Sequence, residues 1–206
     1  MGDAAILIET GDIDDVLALA LALSDLARSK DMALAEVTDI VPAARTVLII
    51  ARHTSDLPGI GMRVRRLAAG LDRSSSPVHE HVIKVPVRYD GPDLDDVARI
   101  TGLSEQEVVA AHTGSPWRVG FGGFAPGFAY LLDGDPRLVV PRRASPRTSV
   151  PVGAVGLAGE FSGIYPRSSP GGWQLIGSTD VVLWDADRDP PALLQPGATV
   201  HFMEAS

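Results

Sequence analysis

The segment GFGGFAPGFAYL, which spans Gly120–Leu131, is followed by PRRASPRTSVPVG (Pro141–Gly153) and by GEFSGIYPRSSPGGWQLIGST (Gly159–Thr179). Glycine and proline interrupt these segments every few residues, and the runs between them are short and apolar. This pattern is typical of tight turns that join short β-strands. Turn-rich backbone on a rigid β scaffold commonly displays binding and catalytic groups, so we expect the functional site here.

The flanking sequence completes a predicted β domain. Many short strands between turns favour a closed or nearly closed barrel, because closure removes exposed sheet edges. The runs that predict these strands are Leu138–Val140, Ala154–Ala158, Gln174–Ile176, Val181–Trp184 and Thr199–Met203.

One strand and two helices are predicted before the first of these segments. The strand is His81–Arg88, and its Pro86 favours a sheet edge or a strand end because proline cannot donate to a ladder. The first helix is Leu94–Thr101. Ser104 and Glu107 have the spacing of a capping box, which predicts the start of the second helix.

Residues 1–77 predict a separate small α+β domain. Its elements follow the order strand, helix, strand, strand, helix, which favours helices packed on one face of a sheet. The polar segment LDRSSSP, at residues 71–77, is expected to be a linker. We therefore predict an α+β protein with a small α+β domain at residues 1–77 and a β-barrel domain at residues 78–206.

The composition excludes several classes of protein. There are 18 basic and 26 acidic residues and a formal net charge of −8, so nucleic-acid binding is not expected. The chain has no cysteine, hence no disulfide or thiolate site, and its five histidines lack ligand spacing; His79 and His81 are expected to be surface residues, and no metal is predicted. No signal-peptide pattern and no bilayer-length apolar run are present, which predicts a cytoplasmic protein without a membrane association.

The arginines of the quoted segments are the first candidates for ligand binding. Arg142, Arg143 and Arg147 lie within six residues of one another, among turns, in an acidic chain. Such a cluster can clamp a carboxylate or a phosphate through bidentate hydrogen bonds. The alternative is that these arginines are solvated turn residues or partners of the acidic clusters at residues 12–15, 93–96 and 185–189.

Other candidates also have two interpretations. His112, at the end of a predicted helix, suits a general acid or base, or a C-terminal residue stabilised by the helix dipole. Tyr165 either contacts a substrate or packs at a corner. Ser168-Ser169 has no adjacent base that would make a nucleophile. The backbone amides of the Gly171-Gly172 turn can stabilise an oxyanion.

Three motifs resemble a known protein family. The motifs are GFAPGFAYL (Gly123–Leu131), PRR with PRT and VP (Pro141–Pro151), and GIYP with SPGGW (Gly163–Trp173). They are similar to a carboxyltransferase-type domain shared by allophanate hydrolase subunit 1, the B subunit of the bacterial ATP-dependent 5-oxoprolinase, the sporulation-kinase inhibitor of bacilli and a segment of urea carboxylase. The resemblance covers nearly the whole chain.

This resemblance implies a small α+β domain followed by a cyclophilin-like β-barrel. It also implies a subunit of a heteromeric, ATP-dependent amide hydrolase of the 5-oxoprolinase or allophanate hydrolase type, which acts on a small amide. The implied partner is a second subunit, similar to the C subunit of 5-oxoprolinase or to allophanate hydrolase subunit 2. ATP is implied as a ligand of the complex, which does not require that ATP contacts this chain.

The resemblance also implies a set of site residues. The predicted site consists of catalytic His112, Arg147 and Tyr165, and substrate-binding Arg118, Phe124, Pro126, Gly127, Arg143, Ser169, Gly171 and Gly172.

Two other functions fit the same resemblance. One is a regulatory inhibitor of a sensor histidine kinase, for which the motif surface is a docking face. The other is carboxyl transfer from biotin, which requires a biotinylated partner because the chain has no Met-Lys-Met segment. The chain departs from many relatives at Phe161-Ser162, where they have Gln-Thr, and at Ser178, where they have Arg. Both departures are expected to reduce the number of polar side chains that can reach a ligand in the pocket.

Overall fold

The computed structural model describes residues 4–28, 34–52, 56–71 and 82–205. The chain divides into two compact units, Met1–Pro77 and Val78–Ser206. Residues 72–77 of the predicted linker, together with His79 and His81, lie outside the described residues. Within the described part, no helix has both the length and the apolar character needed to cross a membrane.

The first unit is a three-stranded antiparallel sheet with two helices on one face. Its elements are β1 (Ala5–Glu9), α1 (Ile13–Arg28), β2 (Val37–Pro42), β3 (Thr46–Ala51) and α2 (Leu57–Ala69). β3 lies between β1 and β2, and its alternate residues Val47 and Ile49 are buried. They share one apolar cluster with Val16 of α1 and Val64 of α2, so the predicted α+β layer is confirmed.

Between residues 82 and 205, the second unit contains two helices, one 3-10 helix (Pro136–Leu138) and nine strands. The first strand and the helices are β4 (Val82–Val87), α3 (Leu94–Thr101) and α4 (Glu105–Gly114). The remaining strands are β5 (Trp117–Gly122), β6 (Ala129–Leu132), β7 (Arg147–Val150), β8 (Ala154–Ala158), β9 (Phe161–Ile164), β10 (Ser169–Gly171), β11 (Gln174–Ser178) and β12 (Thr199–Glu204).

Seven of these strands form a nearly closed, barrel-like sheet. Their order is β11-β8-β9-β6-β5-β12-β4, and β12 and β4 are the parallel pair. The two edge strands meet at Arg88 and Ser178, whose backbone N–H groups each donate to the other's carbonyl at 2.8 Å. The predicted barrel is therefore confirmed. β10 and β7 form a separate two-stranded ribbon.

Adjacent residues on the barrel strands point to opposite faces of the sheet. Ile164 belongs to an inner cluster, whereas Phe161 and Tyr165 belong to an outer cluster. The inner cluster includes Val85, Val119, Leu131, Leu157, Ile164, Ile176 and Phe202. The outer cluster consists of Phe128, Val150, Ala154, Ala158, Tyr165, Trp173 and Leu175, with Ala125, Tyr130 and Phe161 packed against them.

Local signals in the sequence place most helix and strand ends correctly. Ser104 Oγ accepts from the Glu107 N–H at 3.2 Å and the Glu107 carboxylate accepts from the Ser104 N–H at 2.8 Å, which confirms the capping box. Pro86 lies on β4, an edge strand of the sheet, as its missing N–H requires.

Two predicted strands are wrong. Leu138–Val140 contains the end of the 3-10 helix, and Val140 makes a single bridge to Gly159. Val181–Trp184 contains no strand, and Trp184 makes a single bridge to Ala192. Apolar residues of both runs fill the inner cluster instead of extending a ladder, a difference that an apolar run alone does not reveal.

Candidate functional site

The first motif forms a tight loop after β5. Phe124 and Gly127 have φ angles of 65° and 84°, and the Phe128 N–H donates to the Ala125 carbonyl at 2.9 Å. A Cβ on Gly127 would lie 2.9 Å from the Trp184 Cβ, so both the backbone conformation and the packing require glycine there. The loop holds Phe124 with 57% of its surface exposed.

Aromatic rings from the first and third motifs meet on the outer face of the sheet. Phe128 makes edge contacts with the rings of Phe124, Tyr130, Tyr165 and Trp173, at centroid distances of 5.2–5.6 Å. Such edge-to-face arrangements are favourable because a ring edge is positive and a ring face negative. They leave a cavity of about 140 Å³, lined by Phe124, Phe128, Tyr130, Arg142, Tyr165, Gly171, Gly172 and Trp173.

Tyr165 and the glycine turn form one wall of this cavity. Tyr165 is buried, and a Cβ on Gly171 would clash with the Tyr165 Oη. Burial raises the pKa of Tyr165, while a hydrogen bond from the Trp173 backbone and the charge of Arg142 act in the opposite direction. The net shift of the pKa is upward, so the phenol is protonated at neutral pH and can donate a hydrogen bond.

Two of the three clustered arginines bind a buried carboxylate. Arg143 Nη1 donates to Asp93 Oδ1, and Arg147 donates to both carboxylate oxygens of Asp93 at 2.7 and 2.8 Å. The Leu175 N–H donates to the same group at 2.7 Å. Burial alone raises the pKa of Asp93, but the bonds from Arg147 and Leu175 and the charges of Arg147 and Arg143 lower it overall.

Asp93 thereby connects the elements around the cavity. It precedes α3, yet its side chain makes no capping hydrogen bond to that helix, although aspartate at this position commonly does. Instead it reaches the segment that carries Arg142 and β11 beyond the glycine turn. The Arg143 N–H also donates to the Gly172 carbonyl at 2.8 Å. For Arg143 and Arg147, the structure thus supports the alternative that they are partners of an acidic cluster.

His112 lies inside the barrel, across the sheet from the cavity. It is fully buried, with Nδ1 2.7 Å from Tyr89 Oη and Nε2 2.9 Å from Ser162 Oγ. Its ring stacks on Phe202 with a centroid distance of 4.2 Å. Burial lowers the pKa of His112 to about 3, so the imidazole is neutral at physiological pH.

Comparisons with known proteins identify the family. The profile of the carboxyltransferase domain, subdomain C and D, matches residues 1–194. The chain belongs to this family. The B subunit of the 5-oxoprolinase of Escherichia coli O157:H7 is 42% identical over 171 residues, which cover 81% of this chain and 78% of that protein. The corresponding B subunit of Bacillus subtilis is 46% identical over 132 residues, 63% of this chain and 55% of that protein.

A solved structure shares the fold of this chain. The crystal structure of TTHA0988 superposes with a TM-score of 0.81 at 36% identity and covers 98% of this chain. This chain spans 40% of that protein's length. The resemblance identified from the three motifs is therefore confirmed, and the fold is the one expected from it.

This member of the carboxyltransferase-domain family distributes its predicted site residues over several places. The cavity is lined by four of them, Phe124, Tyr165, Gly171 and Gly172, and the loop next to Phe124 contains Pro126 and Gly127. The Asp93 carboxylate binds Arg143 and Arg147, and Asp133 pairs with Arg118 at 2.6 Å. Ser169 lies on β10, with its Oγ buried and without a hydrogen-bond partner in the described structure, and His112 lies inside the barrel. The roles assigned to these residues stay predictions.

The departures from the family pattern also lie in different places. Phe161 packs on the outer cluster, with its ring centroid 5.4 Å from that of Tyr130. Ser162 points into the barrel and pairs with His112, and Ser178 Oγ donates to Asp90 at 3.1 Å near the point of barrel closure. Of these three residues, Phe161 is the one on the face of the sheet that carries the cavity.

The predicted site omitted several residues that line or support the cavity. Phe128, Tyr130 and Trp173 lie within the quoted motifs, and their spacing alone does not separate a cavity wall from a core. The sequence does not distinguish Arg142, which lines the cavity, from the nearby Arg143 and Arg147, which do not. Asp93 precedes a helix, where an acidic residue is expected as a cap, so no sequence signal distinguishes its longer-range role.

Proposed function

We propose that this chain is the B-type subunit of a cytoplasmic, ATP-dependent 5-oxoprolinase, an amide hydrolase. The observation that carries the proposal is the 42% identity to the B subunit of the Escherichia coli 5-oxoprolinase over 81% of this chain and 78% of that protein. A second subunit, similar to the C subunit of 5-oxoprolinase or to allophanate hydrolase subunit 2, completes the enzyme. The sequence has no phosphate loop of the lysine-serine type, so ATP use is assigned to the complex.

The cavity on the outer face suits a compact amide. Its volume of about 140 Å³ is below the roughly 300–1,000 Å³ of pockets that take drug-sized ligands. Five of its eight lining residues are aromatic, and its surface combines these apolar rings with polar groups. One of them is the Tyr165 hydroxyl, which can donate a hydrogen bond to an amide carbonyl.

The same lining explains why a partner is needed. It includes no cysteine, histidine or carboxylate, and the described residues contain no group of three or more histidine, aspartate or glutamate side chains that could hold a metal. Hydrolysis of an amide requires an activated nucleophile or a metal-bound water. We infer that this chain binds and orients the amide and that the other subunit and ATP activate it.

The test is 5-oxoproline-dependent ATP hydrolysis by the chain purified with the other 5-oxoprolinase subunits. Turnover is expected in the complex and not in this chain alone. Gly171→Ala is expected to lower kcat/KM roughly 5- to 150-fold, because the new Cβ displaces Tyr165 and an overpacked site costs roughly 1–3 kcal/mol.

Gly114→Ala is the control, since an added Cβ there would have no other atom within 4 Å and Gly114 does not line the cavity. It should keep most of the activity. Absence of 5-oxoproline-dependent ATP hydrolysis in the wild-type complex would refute the proposed function. Equal activity of the two alanine variants would instead refute the role given to the Tyr165 wall.

A further inference from the structure

The three arginines of residues 142–147 are not equivalent in their contacts. Arg143 and Arg147 are both bound to Asp93, which is 1% exposed. Their charges are therefore partly neutralised within the protein. Neither residue lines the cavity.

Arg142 differs from its neighbours in both respects. It lines the cavity, it is exposed, and among the described residues it has no hydrogen-bond or ion-pair partner. It is also the single charged residue of the cavity lining. A guanidinium at the edge of an aromatic cavity is attractive to an anion, because the apolar walls screen the charge less than water does.

We propose that Arg142 determines substrate specificity by binding the carboxylate of a small amide that also carries an acid group. This inference rests on the proposed function, because it takes the cavity as the amide site. The guanidinium offers two parallel N–H donors that match the two oxygens of a carboxylate. The amide portion then lies against the aromatic rings, within reach of the Tyr165 hydroxyl.

The contacts of Asp93 explain why Arg142, and not its neighbour Arg143, is available to bind a ligand. Asp93 holds Arg143 through its side chain, and the Arg143 N–H donates to the Gly172 carbonyl. On the other side of Arg142, the Gln174 Nε2 donates to the Pro141 carbonyl at 3.3 Å. Pro141 and Arg143, the two neighbours of Arg142, are thus held beside the glycine turn. Arg142 itself lies at the cavity and forms no ion pair there.

The experiment compares 5-oxoproline, which has a carboxylate, with its carboxamide, which lacks that charge. Binding to the complex is measured by calorimetry, and 5-oxoproline turnover is followed through ATP hydrolysis. The wild type should prefer 5-oxoproline. Arg142→Gln should raise both Kd and KM for 5-oxoproline roughly 10- to 100-fold, with a much smaller change in kcat, as expected for loss of a charged hydrogen bond used in binding.

Two further variants separate charge from geometry. Arg142→Lys should give an intermediate Kd, since lysine keeps the positive charge but not the bidentate donor pair. Arg167→Gln is the matched control, because Arg167 is another exposed arginine that does not line the cavity. It should bind both compounds as the wild type does.

The outcomes separate this inference from the proposed function. A carboxylate preference that is lost in Arg142→Gln, in a complex that shows no turnover, would support the inference and refute the proposed activity. The inference is overturned if Arg142→Gln keeps the wild-type preference. It is equally overturned if the wild-type complex binds neither compound or binds the two alike.

Discussion

Two parts of the barrel domain, its interior and the edge of β11, accommodate buried polar groups in opposite ways. On the inner face, His112 is neutral and shares hydrogen bonds with Tyr89 and Ser162. At the edge of β11, the Asp93 carboxylate stays ionised because two arginines and the Leu175 N–H compensate its charge. Burial penalises a charge unless it is neutralised or paired, and this domain uses one solution in each of the two places.

This contrast explains why the motifs form one site only in part. The hydrogen-bonded group of Tyr89, His112 and Ser162 is surrounded by the barrel core, whereas the ion pairs of Asp93 hold the segment that carries Arg142. Arg142 takes part in neither the His112 hydrogen bonds nor the Asp93 ion pairs, so its guanidinium remains available at the cavity. Polar residues near a site are therefore best separated into those that hold the scaffold and those that can meet a ligand.

The largest effect is expected for Asp93→Ala. Removing the carboxylate leaves two partly buried guanidinium groups and the Leu175 N–H without their acceptor. Loss of one member of a buried ion pair costs about 3–5 kcal/mol, so the free energy of unfolding should fall by that amount. Urea unfolding followed by circular dichroism measures it.

Asp96→Ala is the matched control for this prediction. Asp96 pairs with Arg99 at 2.6 Å on the surface, and such pairs contribute at most about 1 kcal/mol. If Asp93→Ala unfolds with the same free energy as Asp96→Ala, the ion pairs of Asp93 do not hold the scaffold, and the contrast with the barrel interior fails.

An intermediate effect is expected from the pH dependence of His112. The unfolded chain binds a proton there near pH 6.5, whereas the folded chain does so only near pH 3. Its contribution to stability is therefore complete above pH 6.5 and is lost as the pH falls toward 3. Between pH 7 and pH 5 the wild type should lose about 2 kcal/mol of unfolding free energy from this residue.

The measurement is urea unfolding at both pH values for the wild type and for His112→Gln, which lacks the titrating group. Gln106→Ala, at an exposed position of α4 without a titrating group, is the control and should keep the wild-type pH dependence. If His112→Gln does not fold, a pH titration of the wild type, followed by the NMR resonances of its imidazole rings, determines whether His112 binds a proton in this range. A His112 ring that titrates between pH 8 and pH 5 would contradict a neutral histidine in the barrel interior.

The smallest effect is expected for Arg142→Gln on stability. An exposed side chain without a partner usually changes the unfolding free energy by less than about 0.5 kcal/mol when it is replaced. Thermal and urea unfolding of the isolated chain measure the difference. A loss of several kcal/mol would show that Arg142 supports the scaffold as Arg143 and Arg147 do.

Much of the local structure could be predicted from residue patterns. The Ser104–Glu107 capping box, the edge position of Pro86 and the separation of strands by glycine and proline all depend on neighbours within a few positions. The cavity walls were predicted in part for the same reason, because Phe124, Tyr165 and the Gly171-Gly172 turn lie inside the recognisable motifs.

The sequence by itself determined the α+β class, the barrel and the family, because these follow from short-range periodicity, turn chemistry and three ordered motifs. Only the tertiary structure decided which polar residues meet. Asp93 lies 50 and 54 positions from Arg143 and Arg147, and His112 lies 50 positions from Ser162. Such contacts depend on how the strands are ordered in the sheet and on which face each side chain occupies, and no local pattern encodes either.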